Sequence, residues 1–72
     1  MIVYVETHDL LQGAPPSRER LEDVHTVAEA WARLGRRPAA GLAVLVNGRL
    51  ANWHTALQDG DVVRLIVAPG GG

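Results

Sequence analysis

Two spacings of apolar residues alternate along the chain, and together they predict a sheet with one helix. Apolar residues recur at every second position in residues 2–6 and 62–67, which is typical of strands. They recur at steps of three and four in residues 26–34, which indicates one amphipathic helix. A continuous apolar run predicts a buried strand at residues 42–46, and two further short strands are predicted at residues 18–24 and 49–51.

Capping and turn residues mark the ends of these elements. Thr26 and Glu29 have the spacing of a capping box, which predicts the start of the helix. Asn47-Gly48 predicts a two-residue hairpin turn of type I′, because both central residues of that turn need a positive φ. The aspartates of residues 59–61 flank a glycine, so a tight turn is a better interpretation than a pair of catalytic carboxylates.

The order of these elements predicts a single α+β domain. One helix can cover only one face of a sheet, so the other face stays open. The first and last strands are both strongly apolar and are expected to pair in parallel at the centre, which gives a β-grasp arrangement. We expect a mixed sheet of four to five strands with one main helix, a loop at residues 8–17, a domain over residues 1–68 and a flexible glycine tail at residues 69–72.

Alternation along the strands also predicts which side chains face the helix. The expected inward residues, against a helix stripe of Val27, Trp31 and Leu34, are Val3, Val5, Val44, Val63 and Leu65. The opposite face then carries Tyr4, Leu45, Arg64 and Ile66. Exposed apolar groups next to arginine and an aromatic ring are typical of protein contacts. We therefore predict that these four residues form a partner-binding face.

Composition narrows the function. With 72 residues and 7.7 kDa there is room for one small domain. The chain has no cysteine, which excludes disulfides, thiolate zinc sites and cysteine nucleophiles, and a net charge of −1 argues against nucleic acid as a partner. The apolar runs are too short to span a bilayer, and the first residues lack the pattern of a signal peptide, so no membrane contact and a cytoplasmic location are expected.

No arrangement of residues predicts catalysis or metal binding by the chain itself. The histidines His8, His25 and His54 lack the spacing of metal ligands, and a metal site is not expected. No nucleophile–base arrangement or phosphate-binding glycine loop is present. We therefore expect no catalytic residue in the enzymatic sense and no bound cofactor.

The chain resembles the ubiquitin-like sulfur-carrier proteins, which include the small subunit of molybdopterin synthase and the sulfur carrier of thiamine biosynthesis. The resemblance rests on the Asn47-Gly48 hairpin, the segment at residues 57–63 (LQDGDVV) and the terminal Gly71-Gly72. It covers nearly the whole chain in the order of its elements.

The resemblance implies a specific chemistry at the terminus. A ubiquitin-activating-type enzyme would use ATP to adenylate the Gly72 carboxylate, while Gly71 and Gly70 thread a narrow channel. A sulfurtransferase or desulfurase would then convert the acyl-adenylate to a thiocarboxylate. An acceptor enzyme, such as the large subunit of molybdopterin synthase or thiazole synthase, would take the sulfur. In this interpretation the chain is a co-substrate of partner enzymes, not an enzyme.

Two other functions are compatible with the same sequence. The terminus could instead be conjugated to lysines of other proteins, as in a ubiquitin-like modifier. Alternatively, the domain could be a β-grasp interaction module without covalent chemistry. No motif selects the pathway that receives the sulfur, which could be the synthesis of molybdopterin, of thiazole, of cysteine, of thiolated tRNA or of another thiolated metabolite.

Overall fold

The computed structural model describes residues 1–10, 13, 15–35 and 42–67. The predicted tail at residues 69–72 lies outside the described residues. The elements are β1 (Ile2–Asp9), β2 (Ser17–Glu22), α1 (Val27–Arg33), β3 (Leu42–Val46), β4 (Arg49–Leu50) and β5 (Val62–Val67).

These strands form one mixed sheet with the order β2-β1-β5-β3-β4. β1 and β5 are parallel neighbours, and the other three pairings are antiparallel. Residues of α1 pack into the core on one face of this sheet. The predicted β-grasp arrangement is confirmed, including the parallel pairing of the first and last strands.

The first two strands differ from their predicted bounds. β1 continues to Asp9, so the loop predicted from His8 onward begins later than expected. The extension arises from pairing, because β5 runs beside β1 as far as the Asp9–Val67 register pair. β2 ends at Glu22, and the next residue, Asp23, has a φ of 58°, which breaks the extended backbone predicted for this segment.

The core lies between the sheet and the helix. All five residues predicted to face inward are buried, and in β5 Val63 and Leu65 have no exposed surface. The same face of β1 carries one buried polar side chain, Thr7. Trp31 of α1 lies 5.8 Å from Trp53, centroid to centroid, and Trp53 is half-buried against the core. The connector between β4 and β5 therefore closes one side of the core.

The start of α1 is held by this connector as well as by its own cap. The N–H of Glu29 donates to the hydroxyl of Thr26 at 3.2 Å, and that hydroxyl donates to the Glu29 carboxylate at 3.1 Å. The first two N–H groups of the helix donate to the carbonyl oxygens of Thr55 and Trp53, at 3.2 and 3.0 Å. The predicted helix start is confirmed. The first N–H groups of the helix, which have no partner within the helix, donate to the β4–β5 connector and so join it to the helix.

Candidate functional site

The hairpin between β3 and β4 is joined to the start of β5 by side-chain hydrogen bonds. Asn47 and Gly48 have φ values of 52° and 82°, the two positive angles that the predicted turn requires. The Asn47 amide donates to the carboxylate of Asp61 at 2.9 Å, and its carbonyl oxygen accepts from the Val62 N–H at 2.9 Å. The other oxygen of Asp61 accepts from the Gln58 N–H at 2.8 Å. One amide and one carboxylate thus set where β5 begins.

The turn at residues 59–61, which precedes β5, is hydrogen-bonded to the start of β1. The Ile2 N–H donates to the carboxylate of Asp59 at 2.7 Å, and the Gly60 N–H donates to the Ile2 carbonyl at 2.7 Å. The Asp61 carbonyl accepts from the Tyr4 N–H at 2.9 Å. We call Asn47, Asp59 and Asp61, with their bonds, the clasp. Both aspartates accept backbone hydrogen bonds, which confirms the turn interpretation of residues 59–61.

On the face opposite α1, one row of side chains crosses all five strands. By register the row consists of Arg18 in β2, Glu6 in β1, Arg64 in β5, Leu45 in β3 and Leu50 in β4. We call it the cross-strand row. Its β2–β1–β5 part is charged, whereas its β3–β4 part is apolar. The open face is therefore divided into a charged half and an apolar half.

Within the charged half, the contacts around Glu6 and Tyr4 are loose. The Arg64 guanidinium lies 3.9 Å from the Glu6 carboxylate, and the His8 imidazole lies 3.8 Å from the same carboxylate oxygen. Both distances exceed those of a hydrogen bond. The Arg18 guanidinium lies 5.1 Å from the centroid of the Tyr4 ring, a cation–π distance. These groups are held near one another without being locked together.

The four residues predicted for the partner-binding face all lie on the open face, but they do not form one cluster. Arg64 is exposed, and the other three are half-buried. Leu45 is the direct register neighbour of Arg64, and Ile66 is two residues further along β5. Tyr4 lies in the charged half, beneath Arg18. Three of the four residues are therefore adjacent, and their role in binding a partner stays a prediction.

The structure adds Leu50 to this face. Its side chain is 83% exposed, more than that of any other large apolar residue among the described ones, and it is the register partner of Leu45. The sequence contained a signal for this placement. A two-residue turn at Asn47-Gly48 puts the second residue after the turn opposite the second residue before it.

β5, the strand that leads toward the terminus, is the central strand of the sheet. Its last residue, Val67, is buried and pairs with Asp9 on one side and Leu42 on the other. The Val67 carbonyl accepts from the Leu10 N–H at 2.7 Å. The predicted reacting residue Gly72 and the threading residues Gly71 and Gly70 lie outside the described residues. The backbone that precedes them is held on both sides.

Within residues 1–10, 13, 15–35 and 42–67, no three His, Cys, Asp or Glu side chains are grouped so as to hold a metal ion. In the same part of the chain, no helix has the length and apolar character needed to cross a bilayer.

Comparison with known proteins gives the family. The model of the ThiS family matches residues 2–72. The chain belongs to the ThiS family. This is the ubiquitin-like sulfur-carrier family, whose members are small carrier proteins and not enzymes themselves, so the resemblance predicted from the sequence is confirmed.

A solved structure supports the fold independently. The ubiquitin of Caldiarchaeum subterraneum matches with a TM-score of 0.57 at 18% sequence identity, covering 100% of both chains. At this identity the match shows a shared ubiquitin-like fold. No curated protein sequence matches this ThiS-family chain.

Proposed function

We propose that this ThiS-family chain carries sulfur as a thiocarboxylate on Gly72. The observation that carries the proposal is the match of the ThiS family model through residue 72. In the first step the Gly72 carboxylate attacks the α-phosphate of ATP and pyrophosphate leaves. In the second, the persulfide of the sulfur donor attacks the acyl carbon and AMP leaves. A thiol then cleaves the S–S bond of the resulting acyl disulfide, which releases the thiocarboxylate and leaves the two thiols joined as a disulfide. Adenylation is needed because a free carboxylate has no good leaving group.

The tail residues suit this chemistry because they carry no side chains. Gly70, Gly71 and Gly72 can pass through a channel too narrow for a Cβ atom. β5 supports the proposal from the other direction, since it is paired on both sides up to Val67. A partner that grips the sheet would therefore hold the start of the tail in a defined place.

The partner-binding face of this proposal is the open face. It comprises Tyr4, Leu45, Arg64 and Ile66, with Leu50 added from the structure. Leu45 and Leu50 provide contiguous apolar surface at the edge of the sheet, and Ile66 connects it to the end of β5. Exposed apolar groups of this kind are typical of a protein contact, and tyrosine and arginine are the residues that most often anchor one.

The partners in this proposal act in sequence. An adenylating enzyme of the ubiquitin-activating type uses the ATP, a sulfurtransferase or desulfurase supplies the sulfur, and a biosynthetic enzyme accepts it. The large subunit of molybdopterin synthase and thiazole synthase are the two acceptors to compare. These steps belong to the cytoplasm, and the chain itself needs no cofactor for them.

Pyrophosphate exchange with the cognate adenylating enzyme tests the proposal. The full chain should support exchange, a chain lacking Gly71 and Gly72 should not, and Gly72→Ala should be slowed because its methyl group enters the channel. Circular dichroism of all three chains controls for folding. Exchange by the shortened chain at the full-length rate would contradict the proposal.

Mass spectrometry after addition of the sulfur donor separates the two covalent functions. Replacement of one terminal oxygen by sulfur identifies a carrier, whereas a new amide bond to a lysine of another protein identifies a modifier. Leaving out ATP is the control, since neither product should form without adenylation.

A further inference from the structure

We propose that Glu6 is a built-in competitor for Arg64, and that Arg64 binds a carboxylate of the adenylating partner when that partner docks on the open face. The proposal rests on the proposed function, because it assumes that an adenylating enzyme is the partner. It goes further by assigning a carboxylate to that partner's surface and a role to Glu6, which is not one of the residues predicted for the partner-binding face.

The first observation is the position of Arg64. It stands in the cross-strand row between Glu6 and Leu45, at the boundary between the charged and apolar halves. Its side chain is 47% exposed, and its 3.9 Å separation from Glu6 is too long for a hydrogen bond. The Glu6 side chain is 23% exposed, and a partly exposed ion pair at this separation contributes little free energy. The Arg64 guanidinium can therefore exchange this contact for a closer carboxylate.

The second observation is the charge of the open face. The register places three arginines (Arg18, Arg20 and Arg64) and two glutamates (Glu6 and Glu22) on this face, although the whole chain has a net charge of −1. Arg20 is paired with Glu22 at 3.3 Å, and Arg18 lies over the Tyr4 ring. Arg64 is the arginine that borders the apolar half. A partner with an acidic side chain next to an apolar surface would complement this arrangement.

Docking of the partner would also change the surroundings of Glu6. A partner seated on Leu45 and Leu50 would exclude water from the neighbouring Arg64–Glu6 contact. Charges interact more strongly when water is excluded, so the Glu6 carboxylate and the incoming one would compete more strongly for the same guanidinium. Glu6 thus weakens the complex. A weaker complex lets a carrier leave the adenylating enzyme for the next one.

Binding of the full chain to its adenylating enzyme, measured by calorimetry without ATP, tests the proposal. Arg64→Gln should weaken binding by roughly tenfold, and Glu6→Gln should tighten it by roughly threefold. The salt dependence of binding should become shallower in Arg64→Gln, because one intermolecular ion pair is lost. Arg33→Gln, an exposed arginine in the last turn of α1, is the matched control and should change neither quantity.

The double variant Glu6→Gln/Arg64→Gln separates competition from direct repulsion. If Glu6 acts through Arg64, the tightening caused by Glu6→Gln disappears when Arg64 is absent. Equal tightening in both backgrounds would overturn the competitor role, and unchanged affinity in Arg64→Gln would overturn the carboxylate contact. Pyrophosphate exchange by the unmodified chain is measured alongside. If that exchange is normal while the variants bind like the original, this inference fails and the proposed function stands.

Discussion

The two faces of β5 differ strongly in solvent exposure, although both carry apolar residues. Val63 and Leu65 have no exposed surface beneath α1, while Arg64 is exposed and Ile66 is half-buried on the open face. Neighbouring residues of one strand therefore have two different roles. The covered face provides the core, and the open face retains accessible side chains beside the path to the terminus. A strand with only one covered face can support folding and partner binding at once.

The largest expected effect breaks the covered face. Leu65→Asp places an unpaired carboxylate in the core, at a cost of about 4 kcal/mol or more, comparable to the whole stability of a domain of this size. We expect the variant to be unfolded by circular dichroism and to lack a cooperative urea transition. Val44→Asp should behave in the same way, because Val44 is buried and pairs with Leu65. A cooperative transition in Leu65→Asp would show that this face tolerates charge.

The second largest effect is expected on the open face, at Ile66, the residue that follows Leu65 in β5. Ile66→Asp should weaken binding to the adenylating enzyme by about 2–3 kcal/mol. It should lower the free energy of unfolding by only about 1 kcal/mol, because the side chain is half-buried and the carboxylate can reach water. Leu45→Asp is expected to act similarly. Titration calorimetry, with urea unfolding of the same samples, measures both quantities. Unchanged affinity in both folded variants would place the docking surface elsewhere.

The smallest effect is expected in the clasp, which sets the start of β5 and so supports both of its faces. Asn47→Gly keeps a residue suited to positive φ but removes the two side-chain hydrogen bonds, to the Asp61 carboxylate and from the Val62 N–H. We expect the free energy of unfolding to fall by about 1–2 kcal/mol. Affinity for the adenylating enzyme should not change, because glycine keeps the turn that places Leu45 and Leu50 on the open face. A large loss of affinity in a folded Asn47→Gly chain would argue against this expectation.

The segment that carried the family resemblance illustrates what a motif can mean. Within residues 57–63 the side chains of Asp59 and Asp61 accept hydrogen bonds that join β5 to β1 and to the β3–β4 hairpin. The motif thus builds the fold, and the chemistry is proposed at Gly72. Its turn role was predictable, because a glycine between two aspartates suits a tight turn. Its bonds to Ile2 and Asn47 were not, because they join residues 57 and 14 positions apart.

Sequence alone determined the features that depend on near neighbours. The cap at Thr26, the positive φ values at Asn47 and Gly48, and the inward alternation of β5 all follow from local sterics and short-range hydrogen bonds. The β-grasp order also followed, because two strongly apolar strands and a single amphipathic helix leave few ways to bury their apolar surface.

Only the tertiary structure decided what meets across the sheet. The length of β1 depends on pairing with β5, so alternation within residues 2–6 could not predict that it reaches Asp9. The cross-strand row likewise needs the register of four strand pairs, and a slip of one residue in any of them would move its members to the other face. Register is set by packing and bonds between distant parts of the chain. The division of the open face into charged and apolar halves, and the contact of Glu6 with Arg64, therefore emerge only in the folded sheet.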